Sequence, residues 1–195
     1  MTKVLKIKTL QQEIVICTMS TLKEEHLNQI IALQEEVINT IENKNFFLKT
    51  ENSEFRKIIT NKENICLGCF NESSELIAYG IFIKPTLLKN YGLDINLEKD
   101  LLPLVGHIDS TIVHPNYRGN HLQKHLITAL EEAVDKNKFS ILCCTVHPEN
   151  KASLKTFLKL GYKIKIEKEK YGGLRRYVLM KSINNLGECK FERKY

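Results

Sequence analysis

The segment from residue 106 to residue 146 constrains the fold more than any other part of the sequence. A β-branched run at 106–113 leads into a polar loop at 114–120, and a second apolar run follows at 139–146. A strand, a helix and a second strand in this order predict a βαβ unit with parallel strands and a right-handed crossover. The helix is predicted because apolar residues recur there at helical spacing: Leu122, Leu126, Ala129, Leu130, Ala133 and Val134.

The residues before this unit predict antiparallel strands. A strand is expected at 13–19, and Thr21–Glu24 has the form of a capping box at the start of an amphipathic helix. Residues 54–60 show a weaker helical pattern. Two further strands, at 64–70 and 76–84, flank a run of turn residues and predict a hairpin.

The residues after the βαβ unit complete the expected sheet. A helix capped by Asn150 is predicted at 151–160, and strands at 162–169 and 174–181 predict a hairpin. The whole pattern predicts an α/β (α+β) fold, in which a mixed sheet combines antiparallel N-terminal strands with a parallel βαβ unit and carries helices on both faces. Residues 85–105 remain as an irregular connection, and a segment of that length usually covers a site.

Length and charge limit the classes of function. The chain has 195 residues, 43% hydrophobic and 27% charged, as expected for one globular domain spanning 1–195. Its net charge of +6 is uneven, since residues 1–150 carry 16 basic and 19 acidic side chains and residues 151–195 carry 13 and 4. A solvated basic face and an anionic partner, such as nucleic acid, a polyphosphate or an acidic protein, both account for this excess. Lysines without interleaved aromatic residues argue against nucleic acid.

The cysteines and the N-terminal residues predict a cytoplasmic protein without a metal site. Cys66 and Cys69 form a CxxC pair, but no second pair stands at the spacing of a zinc site, so buried reduced thiols are expected. No apolar run approaches the ~20 residues that a membrane span needs. Polar residues at 11–13 interrupt any signal-peptide core, so we expect neither secretion nor a membrane partner.

The loop before the predicted helix of the βαβ unit has the chemistry of an anion site. Backbone N–H groups and the positive end of the helix dipole converge there, and Arg118 adds a bidentate donor for phosphate. Gly119 allows a close turn of the backbone. The sequence contains neither a Walker A motif nor a Rossmann fingerprint, so it gives no support for an ordinary NTPase or NAD site.

Two segments carry a family resemblance. Residues 113–126, VHPNYRGNHLQKHL, resemble motif A of the GCN5-related N-acetyltransferase (GNAT) superfamily, and residues 150–162, NKASLKTFLKLGY, are similar to its motif B. The order and separation of the two segments agree with that family, and the element order from residue 13 onward suits its fold. The resemblance implies a cofactor core at about 106–182 and a C-terminal tail at 183–195.

The resemblance implies acetyl-CoA as the cofactor. Backbone groups of 111–113, on a strand that splays from its parallel neighbour, would pair with the pantetheine arm and polarise the thioester carbonyl. Arg118 and the N–H groups of 119–124 would hold the pyrophosphate, and Asn150 would contact the cofactor unless it is only a helix cap. The implied set is Thr111, Ile112, Val113, Arg118, Gly119, Asn120, His121, Leu122, Gln123, Lys124, Asn150, Ser153 and Phe157.

Three positions depart from the family pattern. His121 and Gln123 stand where the family has small residues, which leaves backbone N–H donation intact but limits the approach of the phosphates. His121 either lends a donor to the diphosphate or points to solvent. Phe157 stands where many members have a tyrosine that protonates the departing thiolate, so water or the hydroxyl of Tyr162 or Tyr171 would have to replace it.

The base that takes the proton of the attacking amine has two candidates. Asp109 and His107 lie on the strand that lines the expected site, and strand alternation places them on one face. Asp109 matches an acidic position that some members of the family use as a base, and a structural polar role is the alternative for both residues. Thr145 stands where other members have a catalytic glutamate, so that route is not expected.

The resemblance thus implies an acetyl-CoA-dependent N-acetyltransferase that moves an acetyl group to a primary amine of a small molecule or peptide by direct attack. Two alternatives remain open: a CoA-binding sensor or structural domain with weakened catalysis, and a basic protein associated with nucleic acid. A monomer and a homodimer are both compatible with the sequence. Lys151 and Lys155 are expected near the anionic ADP end of the cofactor.

Overall fold

The computed structural model describes residues 3–183, which fold around one sheet of eight strands. The order across the sheet is β1-β2-β3-β4-β5-β6-β8-β7. Apart from Ile183, the tail expected at 183–195 lies outside the described residues. The strands are β1 (Lys3–Lys8), β2 (Ile14–Thr21), β3 (Ile65–Phe70), β4 (Leu76–Ile83), β5 (Val105–Val113), β6 (Ile141–Val146), β7 (Lys163–Lys170) and β8 (Leu174–Ser182).

Helices cover both faces of the sheet. Consecutive side chains of a strand point to opposite faces, and Ile81 and Phe82 of β4 accordingly enter different apolar clusters. Ile81 packs in the cluster that contains α1 and α2, whereas Phe82 packs with α4 and α5. The predicted mixed sheet with helices on both faces is therefore confirmed. The helices are α1 (Leu27–Thr40), α2 (Asn52–Thr60), α3 (Tyr91–Asp94), α4 (Leu122–Ala133) and α5 (Lys151–Lys159).

The parallel pair predicted by the βαβ pattern is β5–β6, and it is short. Only Val105, Gly106 and His107 of β5 pair with β6. Beyond them β5 continues to pair with β4 as far as Val113 but has no partner on the β6 side, so the two parallel strands part. The remaining strand pairs within residues 3–183 are antiparallel. This topology confirms the βαβ unit and contains the splay that the family resemblance implied.

Two features at the N-terminus differ from the sequence-based expectation. The sequence pattern does not predict β1, because only Ile7 of its residues is buried and the strand lies at the edge of the sheet. The predicted capping box is wrong, since α1 begins at Leu27 after a 3₁₀ turn at 24–26. Nδ1 of His26, instead of a glutamate, accepts the backbone N–H of Lys23 at 2.9 Å.

The connection at 85–105 is more regular than expected. It contains two 3₁₀ turns and α3, and one side chain fixes its path. Oδ1 of Asn90 accepts the N–H of Gly92 at 2.8 Å, and Nδ2 of Asn90 donates to the carbonyl of Leu102 at 2.9 Å. Tyr91 then packs against β6 and β8. The segment therefore covers the sheet beside the parallel strands.

The cysteine thiols are buried, and the described residues form no metal-binding cluster. The five cysteines within residues 3–183 are buried and free, as expected for reduced thiols. In the same part of the chain, no three His, Cys, Asp or Glu side chains cluster closely enough to hold a metal ion. None of its helices is long and apolar enough to cross a membrane.

Candidate active site

A cleft of about 740 Å³ opens where β5 and β6 part. Residues 109–113 of β5 line it together with Thr145 and Val146 of β6, and further walls come from the β5–α4 loop, the start of α4, and α5. The end of α1, with Phe46 and Phe47 after it, lines the remaining side. The cleft therefore connects the expected anion site with a pocket beside α1.

Most of the residues that the sequence assigned to the site meet in this cleft, and two do not. Asn120 and His107 are absent from its lining. The assigned residues that line it are Asp109, Thr111, Ile112, Val113, Arg118, Gly119, His121, Leu122, Gln123, Lys124, Asn150, Ser153 and Phe157.

The β5–α4 loop presents a run of free backbone donors. Gly119 and His121 have φ values of 87° and 58°, which turn the chain sharply into α4. The backbone N–H groups of 119–124 have no acceptor within the described part of the chain. They stand at the N-terminal end of a 12-residue helix, where unsatisfied donors and the helix dipole favour an anion.

Arg118 adds a positive side chain to these donors. It is exposed, lines the cleft and forms no ion pair with a residue in 3–183, unlike Arg56, which pairs with Glu24. The loop is also held from the opposite side, because Nε2 of His114 lies 2.8 Å from a carboxylate oxygen of Glu36 on α1. A fixed loop with an unpaired guanidinium and free N–H groups fits a diphosphate.

The side chain of Asn120 holds the N-terminal strand instead of lining the cleft. Its Oδ1 accepts the N–H of Lys8 at 2.8 Å, and its Nδ2 donates to the carbonyl of Lys8. A backbone bond from the N–H of Leu10 to the carbonyl of Asn116, 2.9 Å long, supports the same contact. β1 therefore anchors the loop, and only the backbone of Asn120 remains for a ligand.

Gln123 bridges two walls of the cleft. Its Nε2 donates to Oγ1 of Thr111 on β5 and to Oγ of Ser153 on α5, both at 2.9 Å. The family places a small residue at this position, and Gln123 fills that space with an amide. The bridge ties together two residues that the resemblance assigned to the cofactor.

The start of α5 is a helix cap, as the sequence suggested. Oδ1 of Asn150 accepts the N–H of Ser153 at 3.2 Å. Further along α5, Phe157 lines the cleft with one edge but is only 3% exposed, and its ring packs edge-on against Tyr162 with 5.1 Å between centroids. Phe157 offers an apolar wall without a proton to donate.

Asp109 is the carboxylate of the cleft. A bulge in the β4–β5 register lies between Ile108 and Thr111, and Asp109 and Ser110 occupy it. The Asp109 carboxylate is exposed to the cleft but surrounded by protein on its other sides, and this loss of hydration raises its pKa. The hydroxyl of Ser110, which donates to Oδ2 at 3.1 Å, partly opposes that rise.

His107, the other candidate base, is bound within the fold. Its Nε2 accepts the backbone N–H of Tyr91 at 3.0 Å, and the two rings stack with 3.7 Å between centroids. Burial, and then the charge of Lys170, lower the pKa of His107 to about 3. An imidazole that is buried, hydrogen-bonded and neutral fits the structural alternative that the sequence left open, so Asp109 remains as the candidate base.

Of the two tyrosines considered as proton donors, only Tyr171 has a hydroxyl that contacts a residue lining the cleft. Tyr162 is 2% exposed and packs behind Phe157. The Tyr171 hydroxyl lies 3.1 Å from Oγ1 of Thr145, which lines the cleft, and 2.6 Å from the hydroxyl of Tyr91. Burial raises the pKa of Tyr171, so its hydroxyl keeps its proton at neutral pH.

Sequence reasoning missed Phe46 and Phe47, which line the cleft away from the β5–α4 loop, and Tyr91, whose hydroxyl lies against that of Tyr171. Phe46 and Phe47 belong to a polar-flanked segment without periodicity, and Tyr91 lies in the long connection. The sequence places Tyr91 in the connection before β5 and Tyr171 in the turn between β7 and β8. Their contact depends on how these two segments fold together, which local patterns do not determine.

A family model decides the affiliation of the chain. The model described as the acetyltransferase (GNAT) family matches residues 33–162, which include both motifs and the cleft. The chain belongs to the GNAT acetyltransferases. No curated protein matches the sequence.

Solved GNAT structures share the fold at low identity. A GNAT acetyltransferase from Streptococcus pneumoniae is 16% identical, with a TM-score of 0.64 over 86% of this chain and 99% of its own. An N-acetyltransferase from Staphylococcus aureus is 14% identical, with a TM-score of 0.66 over 86% and 99%. A Salmonella typhimurium protein assigned as an acetyltransferase, solved with its cofactor acetyl-CoA, is 14% identical, with a TM-score of 0.65 over 87% and 95%.

Proposed function

We propose that this GNAT protein is an acetyl-CoA-dependent N-acetyltransferase that moves an acetyl group to a primary amine of a small molecule or peptide. One observation carries the proposal: the splay of β5 and β6 brings free backbone donors, Arg118 and the Asp109 carboxylate into one cleft. Donors for a diphosphate and a base for an amine are the two parts that such a transfer needs.

The described residues fit acetyl-CoA. The N–H groups of 119–124 and the guanidinium of Arg118 would hold the pyrophosphate. The edge of β5 at 111–113 has no strand partner on the β6 side, so its backbone groups are free to pair with the pantetheine arm and to polarise a carbonyl. When bound, acetyl-CoA supplies the acetyl group as a thioester.

Asp109 is proposed to take the proton from the ammonium group of the acceptor. A carboxylate is most effective as a base when its pKa lies close to the working pH, and the raised pKa of Asp109 moves it in that direction. The Ser110 hydroxyl, which donates to Oδ2, keeps the carboxylate oriented toward the cleft. The amine then attacks the polarised carbonyl directly.

Direct attack is favoured over an acyl-enzyme on a cysteine. Cys143 and Cys144 are almost fully buried and do not line the cleft. Burial raises the pKa of Cys143 to about 12 and also raises that of Cys144, so neither thiol forms a thiolate at neutral pH. We expect sequential kinetics without a trapped thioester.

The cleft offers a hydroxyl pair that would replace the usual tyrosine as the proton donor to a departing thiolate. Oγ1 of Thr145 lines the cleft and contacts the Tyr171 hydroxyl, and this pair would supply the proton directly or through water. A thiol with a pKa of ~8.5 is a tolerable leaving group without such help, so the effect of Phe157 on the rate is limited.

Binding of acetyl-CoA tests the cofactor site. Arg118→Glu places a negative charge beside the free N–H groups, and we expect it to weaken acetyl-CoA binding by about a hundredfold in calorimetry, since a charge-assisted contact of about 1.5–3 kcal/mol becomes a repulsion. Arg56→Glu, on an exposed arginine of α2, is the matched control and should bind as the wild type does. Unchanged binding in Arg118→Glu would remove the assignment.

Turnover separates the enzyme from a CoA-binding sensor, the alternative that Phe157 favours because it lines the cleft without a hydroxyl. Release of free CoA thiol is followed with a panel of primary amines. Amine-dependent release supports the transferase, and its loss in Asp109→Asn supports the base. Acetyl-CoA binding without release for any amine in the panel would favour the sensor.

A further inference from the structure

Arg176 is a buried cation without an acidic partner. It lies on β8 and is 3% exposed, and no carboxylate within residues 3–183 forms an ion pair with it. The one hydrogen bond from its guanidinium goes from Nη1 to the carbonyl of Arg175 at 2.8 Å. Arg175 itself is exposed and pairs with Glu167 at 2.6 Å. Because buried charges are normally paired, the environment of Arg176 lacks an anion.

Three carboxylates on segments around this end of the sheet are already engaged, and Asp109, which acts on the Tyr171 hydroxyl, forms no ion pair with Arg176. Asp94 pairs with Lys168 and Lys170. Glu167 is held by Arg175, and Glu149 contacts the side-chain amide of Asn43 at 3.4 Å. The aromatic face of Tyr171, with its centroid 5.7 Å from Cζ of Arg176, compensates part of the charge, as cation–π contacts do. An anion from a bound ligand would neutralise the rest of the charge of Arg176.

Arg176 lies behind Tyr171, which separates it from the cleft wall at the end away from the β5–α4 loop. The ring that it faces belongs to Tyr171, whose hydroxyl contacts Thr145 in the cleft wall. On a second path, the charge of Arg176 acts with desolvation to lower the pKa of His147, whose ring packs against Phe46 at 5.2 Å. Phe46 also lines the cleft. One chain of contacts, through Tyr171, and the electrostatic effect on His147 thus both place Arg176 beside this end of the cleft.

The unused donors of Arg176 keep access to solvent. The described side-chain atoms that are both sealed and without a partner belong to Tyr79, Glu131 and Tyr162, and no guanidinium nitrogen is among them. The small exposed area of Arg176 therefore includes N–H groups. A planar guanidinium with free N–H groups matches the paired oxygens of a carboxylate or phosphate.

We propose that Arg176 binds an anionic oxygen group of the acceptor, so that the substrate class is a primary amine that also carries a carboxylate or a phosphate. This inference rests on the proposed transferase function. The amine end would lie near Asp109 and the anionic end near Tyr171 and Arg176. Lys170, close to both Tyr91 and Tyr171, adds positive potential at the same end although Asp94 pairs with it.

Pairs of amines that differ only in the anionic group test this class. Glycine, β-alanine, 4-aminobutyrate and 6-aminohexanoate are compared with their amides, and phosphoethanolamine with ethanolamine. We expect kcat/KM to be at least tenfold higher for the anionic member of the pair that spans the site, chiefly through KM. Equal or better activity with every neutral member would overturn the proposal while leaving the transferase intact.

Substitution of the arginine assigns the preference to one residue. Arg176→Gln should abolish the preference for the anionic member and leave acetyl-CoA affinity unchanged. Arg176→Lys should retain part of the preference. Arg175→Gln, the adjacent exposed arginine, should retain all of it. If Arg176→Gln keeps the full preference, another residue binds the anion and the proposal is wrong.

Binding without turnover keeps the two proposals distinguishable. Calorimetry measures the same anionic and neutral amines against the complex of the protein with CoA, and thermal unfolding of each variant confirms its folding. If no amine releases thiol, the transferase proposal fails, whereas Arg176-dependent binding of the anionic amines would still support this inference. If anionic and neutral members bind equally, the inference fails.

Discussion

At the scale of single residues, Gln123 determines how the cleft differs from the common GNAT pattern. The free N–H groups of the loop do not depend on side chains, so the proposed pyrophosphate site is compatible with a glutamine there. The side chain nevertheless ties Thr111 to Ser153 across the groove. A ligand that occupies the space of this amide must displace the bridge.

Gln123→Ala should strengthen acetyl-CoA binding while destabilising the fold. Two neutral hydrogen bonds contribute about 0.5–1.5 kcal/mol each, so the free energy of unfolding should fall by about 1–3 kcal/mol. The ligand no longer has to displace the bridge, and we expect Kd to decrease by about three- to tenfold. Calorimetry and urea unfolding measure the two effects.

Gln123→Met is the control for this prediction, because it keeps the length of the side chain and removes the hydrogen bonds. It should lose stability as the alanine variant does, without the full gain in affinity. Weaker acetyl-CoA binding in Gln123→Ala would contradict the interpretation and would show that the amide itself contacts the ligand.

At the scale of elements, β1 stabilises the β5–α4 loop. It is an edge strand in which the exposed Lys6 and Lys8 flank Ile7, and its contribution lies in the two hydrogen bonds between Lys8 and Asn120. Because these bonds use both polar atoms of the Asn120 amide, an aspartate, which has no N–H to donate, cannot replace it.

Asn120→Ala should therefore release β1 and loosen the loop together. We expect hydrogen exchange to accelerate at 3–8 and at 119–124, and acetyl-CoA to bind about five- to tenfold more weakly because the donors are less well ordered. Asn137→Ala, in the exposed turn before β6, is the matched control. Faster exchange in β1 with an unchanged loop and unchanged Kd would show that the two elements are independent.

Local pattern was sufficient for elements whose burial follows a period. The apolar spacing of α4 predicted a helix that the structure places at Leu122–Ala133, and the βαβ order predicted the parallel pair. β1 escaped because an edge strand buries little. The bulge at Asp109 was also unpredictable, since it depends on the register with β4 and not on the residues of β5 alone.

The roles of two site residues depended on contacts that are distant in sequence. His107 was placed correctly on β5, but its lone pair is taken by the N–H of Tyr91, 16 residues earlier, which Asn90 positions. Arg176 stands in a charged hairpin, where the sequence pattern does not predict burial, yet it is 3% exposed and the ring of Tyr171 lies 5.7 Å from its Cζ. Long-range packing is therefore what the sequence could not supply.

At the scale of the whole molecule, the basic C-terminal quarter is partly neutralised. Ion pairs hold several of its charges, whereas Lys155 and Lys159 on α5 line the cleft and pair with no residue in 3–183. Free positive charge therefore remains beside the cleft, where it favours an anionic ligand such as the ADP end of CoA. The neutralising pairs are Lys168–Asp94, Lys170–Asp94, Arg175–Glu167 and Lys181–Glu131.

The stability of the whole molecule should fall on acidification because of His107. Its pKa is about 3 in the fold and ordinarily about 6.5, so between these values the unfolded chain binds a proton that the folded chain does not. The contribution of His107 to the free energy of unfolding is therefore fully present above about pH 6.5 and is lost as the pH falls toward 3. The loss approaches ~1.4 kcal/mol for each pH unit within that window.

Urea unfolding of the wild type and His107→Gln at pH 7.0, 6.0 and 5.0 measures this term. Glutamine keeps an acceptor for the N–H of Tyr91 but does not titrate, so the variant should start less stable at pH 7.0 and lose about 1–2 kcal/mol less by pH 5.0. Asn137→Ala, which removes no titratable group, should keep the wild-type slope. Parallel slopes for wild type and His107→Gln would mean that His107 binds a proton in the folded protein as readily as in the unfolded chain. The stacked pair with Tyr91 would then have to accommodate a buried cation.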